Sequence, residues 1–263
     1  MKVIAAVVVG AGIALALVAI VFFAQRRLLY PAPRPIGAPS APGFDRVTLH
    51  TADGLDLVAL YRPARGQPTI VFFHGNGDSL KGSLVATQAI AAAGFGVLLP
   101  EYRGYGGNPG SPSENGLYAD ARAATAFLRE RGVHAAEIVA MGNSIGSGPA
   151  TEVAIGERLG GLIIVSGFTS LPAVAAAATG LPIARLIRDQ FDNAAKLTKS
   201  DVPTLVLHAD DDRVIPIEHG QGLAKASRTF LTVFAGGGHG LAYLPAAGSA
   251  EVQWLTKLGA RRR

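Results

Sequence analysis

The run EIVAMGNSIGSGPA, residues 137–150, holds the reading on which the fold turns. Its first six residues are mostly apolar and predict a strand over 137–142. Its second half opens an Ala- and Gly-rich helix predicted over 145–158. Between them stands Gly142-Asn143-Ser144-Ile145-Gly146, which matches G-x-S-x-G. A strand that turns at once into a helix holds the apex residue in strained backbone, and small flanking residues let the two segments approach. A serine hydroxyl presented at such an apex is placed to act as a nucleophile.

Working outward, short β-rich runs alternate with helical stretches. RVTLH (46–50) and LDLVALYR (55–62) flank Asp53-Gly54 and predict an antiparallel hairpin. TIVFF (69–73), FGVLLP (95–100), GLIIVS (161–166), TLVLHA (204–209) and FLTVFA (230–235) supply the other strands. Several are continuously apolar, as strands covered on both faces of a parallel sheet must be. Further helices are predicted near 79–93, 114–131, 217–226 and 246–260, with Ser113 as N-cap and Glu114 in the first turn of the second. The expected class is α/β: a mostly parallel eight-stranded sheet with helices on both faces. Residues 167–202 are longer than one β–α connection needs and predict a small helical cap.

Ligands of such sheets lie beyond the carboxyl ends of the strands. A serine there needs a base and an orienting acid, which follow it in chain order as acid and then His. Of the 6 histidines, His219 and His239 lie past the acid-bearing strand exit. His219 falls inside the helical stretch IEHGQGLAKA and is expected on its surface. His239 sits in Gly236-Gly237-Gly238-His239-Gly240 after the last strand, where flexible backbone can carry an imidazole over Ser144. The acid lies in Asp210-Asp211-Asp212 after TLVLHA, and spacing does not choose among the three. The amides of Ile145 and of Asn76, in the His74-Gly75-Asn76-Gly77-Asp78 loop after TIVFF, are the expected oxyanion hole. His74 precedes the serine and is expected to order that loop. Arg103 and Tyr105, on another strand-exit loop, are expected to serve structure more than substrate.

Other classes of function fall away. The 33 glycines form no phosphate-binding motif: G-x-x-x-x-G-K-[ST] is missing, and no G-x-G-x-x-G follows a strand. With no cysteine there is no thiolate metal site and no Cys nucleophile. The aspartate run has no accompanying ligand pattern, so no metal and no organic cofactor is expected. The net charge of +5 belongs to the ends: residues 1–43 carry four basic residues and no acid, Arg261 to Arg263 close the chain, and 44–260 hold 17 basic against 19 acidic residues. A nucleic-acid partner is therefore not expected.

Val3 to Ala24 is 22 residues without a charge, flanked by Lys2 and by Arg26-Arg27. As a helix it would span about 33 Å, close to a hydrocarbon core of about 30 Å. It is longer than the apolar core of a signal peptide, and bulky Phe22 stands where a small residue should precede a cut after Ala24. The expected organisation is a single-pass anchor over 1–25, a Pro-rich linker over 26–43 and one catalytic domain over 44–263. The three arginines after the apolar run, against Lys2 and the amino group before it, lean the domain toward the cytoplasmic face.

Longer motifs carry a resemblance. Arg26-Arg27-Leu28-Leu29-Tyr30-Pro31, FFHGNGDS (72–79), EYRGYGGNPGSPSENGLYADARAA (101–124), MGNSIGSGPA (141–150), SGFTSL (166–171), FDNAAKL (191–197), HADDDRVIP (208–216) and GGGHG (236–240) stand in the family's order. Over most of residues 20–245 the chain resembles the α/β-hydrolases, specifically the membrane-anchored group of protein depalmitoylases and lysophospholipid or monoacylglycerol lipases. The resemblance implies an α/β-hydrolase fold and places the acid on Asp212, giving Ser144, Asp212 and His239 with Asn76 and Ile145 as oxyanion hole. It departs at Glu101, where the family has Asp, and at Ala209, where it has Gly. The Cys-rich terminus of the depalmitoylases is missing, which weakens that substrate. The implied activity is hydrolysis of a small-molecule or lipid carboxylic ester through an acyl-enzyme. A thioesterase or peptidase on the same triad, or a non-catalytic membrane scaffold, is the alternative.

Overall fold

Alternation along each central strand sorts its side chains between two apolar layers. A computed structural model describes residues 10, 12, 22–27, 29–32, 39–180 and 184–260, with backbone alone at 185. Its strands are β1 (Asp45–His50), β2 (Asp56–Arg62), β3 (Thr69–Phe73), β4 (Gly96–Pro100), β5 (Ile138–Asn143), β6 (Gly161–Val165), β7 (Thr204–Ala209) and β8 (Leu231–Phe234). They form one sheet in the order β1-β2-β4-β3-β5-β6-β7-β8. β2 is antiparallel to both β1 and β4, and every other neighbouring pair is parallel.

The helices are α1 (22–27), α2 (Leu80–Ala86), α3 (Gln88–Ala92), α4 (Glu114–Glu130), α5 (Ser147–Gly156), α6 (Leu171–Thr179), α7 (Asn193–Leu197), α8 (Ile217–Ala226) and α9 (Pro245–Ala260). Val71, Phe73, Leu98 and Ala140 join one core with α4, α5 and α8. Ile70, Phe72, Leu99 and Met141 join the other with α2, α3 and α9. This period-2 division explains why TIVFF and GVLLP are buried at every position: each face has its own helical layer. Ser113 caps α4 as its sequence suggests, its Oγ accepting from the Gly116 amide at 3.1 Å.

Three expectations meet a difference. The helix foreseen over 79–93 breaks at Thr87, where φ is −103° and ψ 7°. Ser83 and Thr87 hydroxyls bond back to carbonyls four residues earlier, the arrangement that bends helices. His219 is buried, its Nδ1 accepting from the Thr169 hydroxyl at 3.0 Å, because α8 turns it toward the loop after β6. Arg26 and Tyr30, assigned to the linker, pack on the domain: Arg26 pairs with Asp189 at 2.7 Å, and Tyr30 is 5% exposed and belongs to the α4–α5 core. Of the anchor stretch 1–25 only residues 10, 12 and 22–25 are described, so most of the expected membrane-spanning helix lies outside the described residues. Among those described, no helix is long and apolar enough to cross a membrane. The cap region holds α6, a short 3-10 turn at Ala184–Leu186 and α7.

Candidate active site

Ser144 leaves the end of β5 with φ of 53°, the left-handed region that strains a side chain by about 1–3 kcal/mol. The motif glycines make that turn possible. A Cβ on Gly142 would lie 2.3 Å from the Gly146 oxygen, and one on Gly146 would lie 2.0 Å from the Phe73 oxygen. The turn thus folds onto itself and onto the end of β3, with no room for either methyl group.

After β8 the chain climbs back over this turn through Gly236, Gly237 and Gly238, with φ of 77°, 106° and 53°. That path places His239 Nε2 at 2.8 Å from Ser144 Oγ and Nδ1 at 2.8 Å from Asp212 Oδ2. A carboxylate facing Nδ1 fixes the proton there and leaves the Nε2 lone pair toward the hydroxyl. The other oxygen, Asp212 Oδ1, accepts from the Val214 and Ile215 amides, both at 2.9 Å. Burial works to raise the Asp212 pKa, but the bonds from His239 and these amides outweigh it and hold the group below its ordinary value. Asp212 is therefore an ionised, fully committed acceptor.

The neighbouring acids have different work. Asp210 Oδ1 accepts from the Gly236 amide at 2.9 Å and Asp211 Oδ1 from the Gly238 amide at 2.7 Å, so both tie down the loop that carries His239. His208 Nε2 donates to the Ile215 carbonyl at 2.8 Å beneath Asp212, and burial keeps its pKa below that of an ordinary imidazole. Nothing local in the sequence distinguishes these supporting bonds, which join residues up to 27 positions apart.

The loop after β3 is braced from below. His74 is fully buried, with Nδ1 donating to the Gly75 carbonyl and Nε2 to Glu101 Oε1, each at 2.8 Å. Burial alone would lower its pKa; the Glu101 carboxylate and Gly75 carbonyl reverse that and raise it, consistent with a ring that donates from both nitrogens. Glu101 thus serves where the resemblance leads one to expect Asp. Tyr105 Oη donates to Asn76 Oδ1 at 2.7 Å, and Asn76 Nδ2 donates to the Leu29 carbonyl. Arg103 instead pairs with Asp120 and Asp53, at 2.8 Å and 2.7 Å.

Asn76, Ile145, Ser144 and His239 meet in one pocket of about 420 Å³. Ile145 is the residue after Ser144 at a helical start, where amide groups lack intrahelical acceptors and favour negative charge. Leu29, Phe168, Leu171, Val174, Val214 and Ile215 make apolar walls, and Tyr243 closes one side. Among the described residues lining it there is no Lys, Arg, Asp or Glu, and His239 and Tyr243 are its ionisable side chains. No group of three or more acidic or His residues among the described residues could hold a metal ion. Such a site suits attack on a carbonyl whose remaining substituent is uncharged and apolar.

The chain resembles known proteins over most of its length. A family model described as the alpha/beta hydrolase family matches residues 70–198, which includes Ser144 and stops before Asp212 and His239. The uncharacterized protein MT2364 of Mycobacterium tuberculosis is 35% identical over 232 residues, spanning 84% of this chain and 82% of that one. The alpha/beta hydrolase domain-containing protein aho-3 of Caenorhabditis elegans is 35% identical over 190 residues, 70% of this chain and 53% of its own. The solved esterase Pf2001 of Pyrococcus furiosus shares the fold with a TM-score of 0.69 at 15% identity, over 88% of this chain and 97% of its own. The chain belongs to the alpha/beta hydrolase family.

Proposed function

We propose that this protein is a membrane-anchored serine hydrolase that cleaves carboxylic esters through an acyl-enzyme. The observation that carries the reading is the unbroken relay from Asp212 through His239 to Ser144 Oγ, with both links at 2.8 Å, at the floor of an apolar pocket.

In the first step His239 Nε2 takes the Ser144 proton as Oγ attacks the ester carbonyl. The amides of Asn76 and Ile145 receive the oxyanion; a single donor of this kind contributes about 10²–10³ in rate. Asp212 stabilises the imidazolium and keeps its orientation. His239 then protonates the leaving alkoxide as the tetrahedral intermediate collapses to the acyl-enzyme. Water enters, gives a proton to His239, and attacks the acyl carbonyl; the second intermediate collapses to the carboxylic acid, and Ser144 Oγ leaves taking the proton back from His239. The uncharged walls favour a lipid-like acyl chain over a charged one. The uncharged run 3–24 would hold the domain at a bilayer.

Fluorophosphonate labelling tests this reading. Wild type is expected to label, Ser144→Ala to lose all label, and His239→Ala to label much more slowly. An unlabelled, folded wild type in both detergent and lipid would contradict it.

A further inference from the structure

The segment joining the apolar N-terminal run to the domain is built into the pocket. Asp189, in the cap loop, is 2% exposed. Four donors converge on it: Arg26 Nε at 3.0 Å and Nη2 at 2.7 Å, Tyr30 Oη at 3.1 Å, and the Glu114 amide at 3.2 Å. The two Arg26 bonds are bidentate, the geometry that fixes direction as well as distance. One residue earlier, Gln25 Nε2 donates to the Leu186 carbonyl at 3.0 Å, while its Oε1 accepts from the Arg188 amide at 2.8 Å. The segment is thus tied to the cap main chain at residues 186 and 188 and to the carboxylate of Asp189.

Its other side faces the chemistry. Leu29 lines the pocket beside Leu171 and Val174. The Leu29 carbonyl accepts from Asn76 Nδ2, and Asn76 is the loop residue whose amide is assigned to the oxyanion. The cap end is tied to the elbow as well. Glu114 accepts from the Gln190 and Phe191 amides, and the Phe191 ring lies 2.2 Å from where a Cβ on Gly148 would stand, one turn past Ser144. Residues 163 apart in the chain therefore hold wall, cap and oxyanion loop in one arrangement.

We propose that Leu29 is a fixed wall of the substrate pocket that sets acyl-chain length, with Arg26 the positioning residue that docks its segment on Asp189. The inference rests on the serine-hydrolase reading above. Arg26 touches no reacting atom and acts by holding Leu29, Asn76 and the cap.

The test uses the full chain in detergent with p-nitrophenyl esters of two to twelve acyl carbons, alongside fluorophosphonate labelling and thermal melts. Arg26 is partly open to solvent, with 36% side-chain exposure, so Arg26→Ala is expected to fold. It is expected to lower kcat about tenfold on the short esters and to slow labelling in proportion, with Arg26→Lys recovering part of the loss. Leu29→Trp fills pocket space without touching the Asp189 bonds and is expected to move the preferred acyl chain shorter. That shift is a readout a purely structural role would not move. A labelled wild type whose rates ignore Arg26→Ala and whose chain-length profile ignores Leu29→Trp overturns this inference alone. If Arg26→Ala fails to fold, the Leu29→Trp profile decides. A wild type that resists the probe and does not turn over removes the hydrolase reading and this inference with it.

Discussion

At the scale of single residues, Ser144 occupies strained backbone because its neighbours exclude the relaxed path. Adding a methyl group at Gly146 would push it against the Phe73 carbonyl. Gly146→Ala is expected to destabilise the protein by about 1–3 kcal/mol, read as a lower denaturation midpoint at unchanged slope. The three aspartates at 210–212 separate by role. Asp212→Asn presents an amide to His239 Nδ1 and drives the proton to Nε2, so the ring can no longer accept from Ser144. Its kcat is expected to fall by about 10⁴. Asp211→Asn retains an oxygen acceptor for the Gly238 amide and is expected to keep most of the activity. Ser144 was legible in the sequence because its signal is local: strand, glycines and helix lie within fourteen residues. His239 was legible from chain order and its glycines. The choice among the acids came only with the resemblance, because adjacent carboxylates are equivalent until the turn directs them.

At the scale of elements, the central strands were legible because burial on both faces leaves continuous apolar runs. The Thr87 break was not, since a helix bent by hydroxyl back-bonds keeps its apolar period. Nor was the burial of α9's Glu251, which is 0% exposed and has no hydrogen-bond partner for either oxygen among the described residues. Desolvation raises its pKa from 4.5 to about 8. Between those values the native state keeps a proton that the unfolded chain releases. Stability therefore falls as pH rises from 4.5, by about 1.4 kcal/mol per unit, and levels off above about 8. Glu251→Gln removes the titrating group, so its stability relative to wild type is expected to improve steadily across that window. Urea denaturation of both proteins at pH 5, 7 and 9 checks the slope.

At the scale of the whole molecule, the pocket draws on parts of the chain that sequence keeps far apart. Arg26 and Asp189 are 163 positions apart, and neither carries a local sign of its partner; the proline-rich stretch after Tyr30 reads as a spacer, which hides the packed residues before it. If the run 3–24 is an anchor, the full chain is expected to sediment with membranes and resist carbonate extraction, and a chain lacking residues 3–24 to appear in the supernatant. The domain's chemistry is a separate matter, and a covalent intermediate decides it. Rapid-quench intact mass during turnover of p-nitrophenyl butyrate is predicted to show one butyryl addition, located on the peptide containing Ser144 and lost in Ser144→Ala. Turnover that continues in Ser144→Ala, or that proceeds with an acyl group on another residue, would contradict the account.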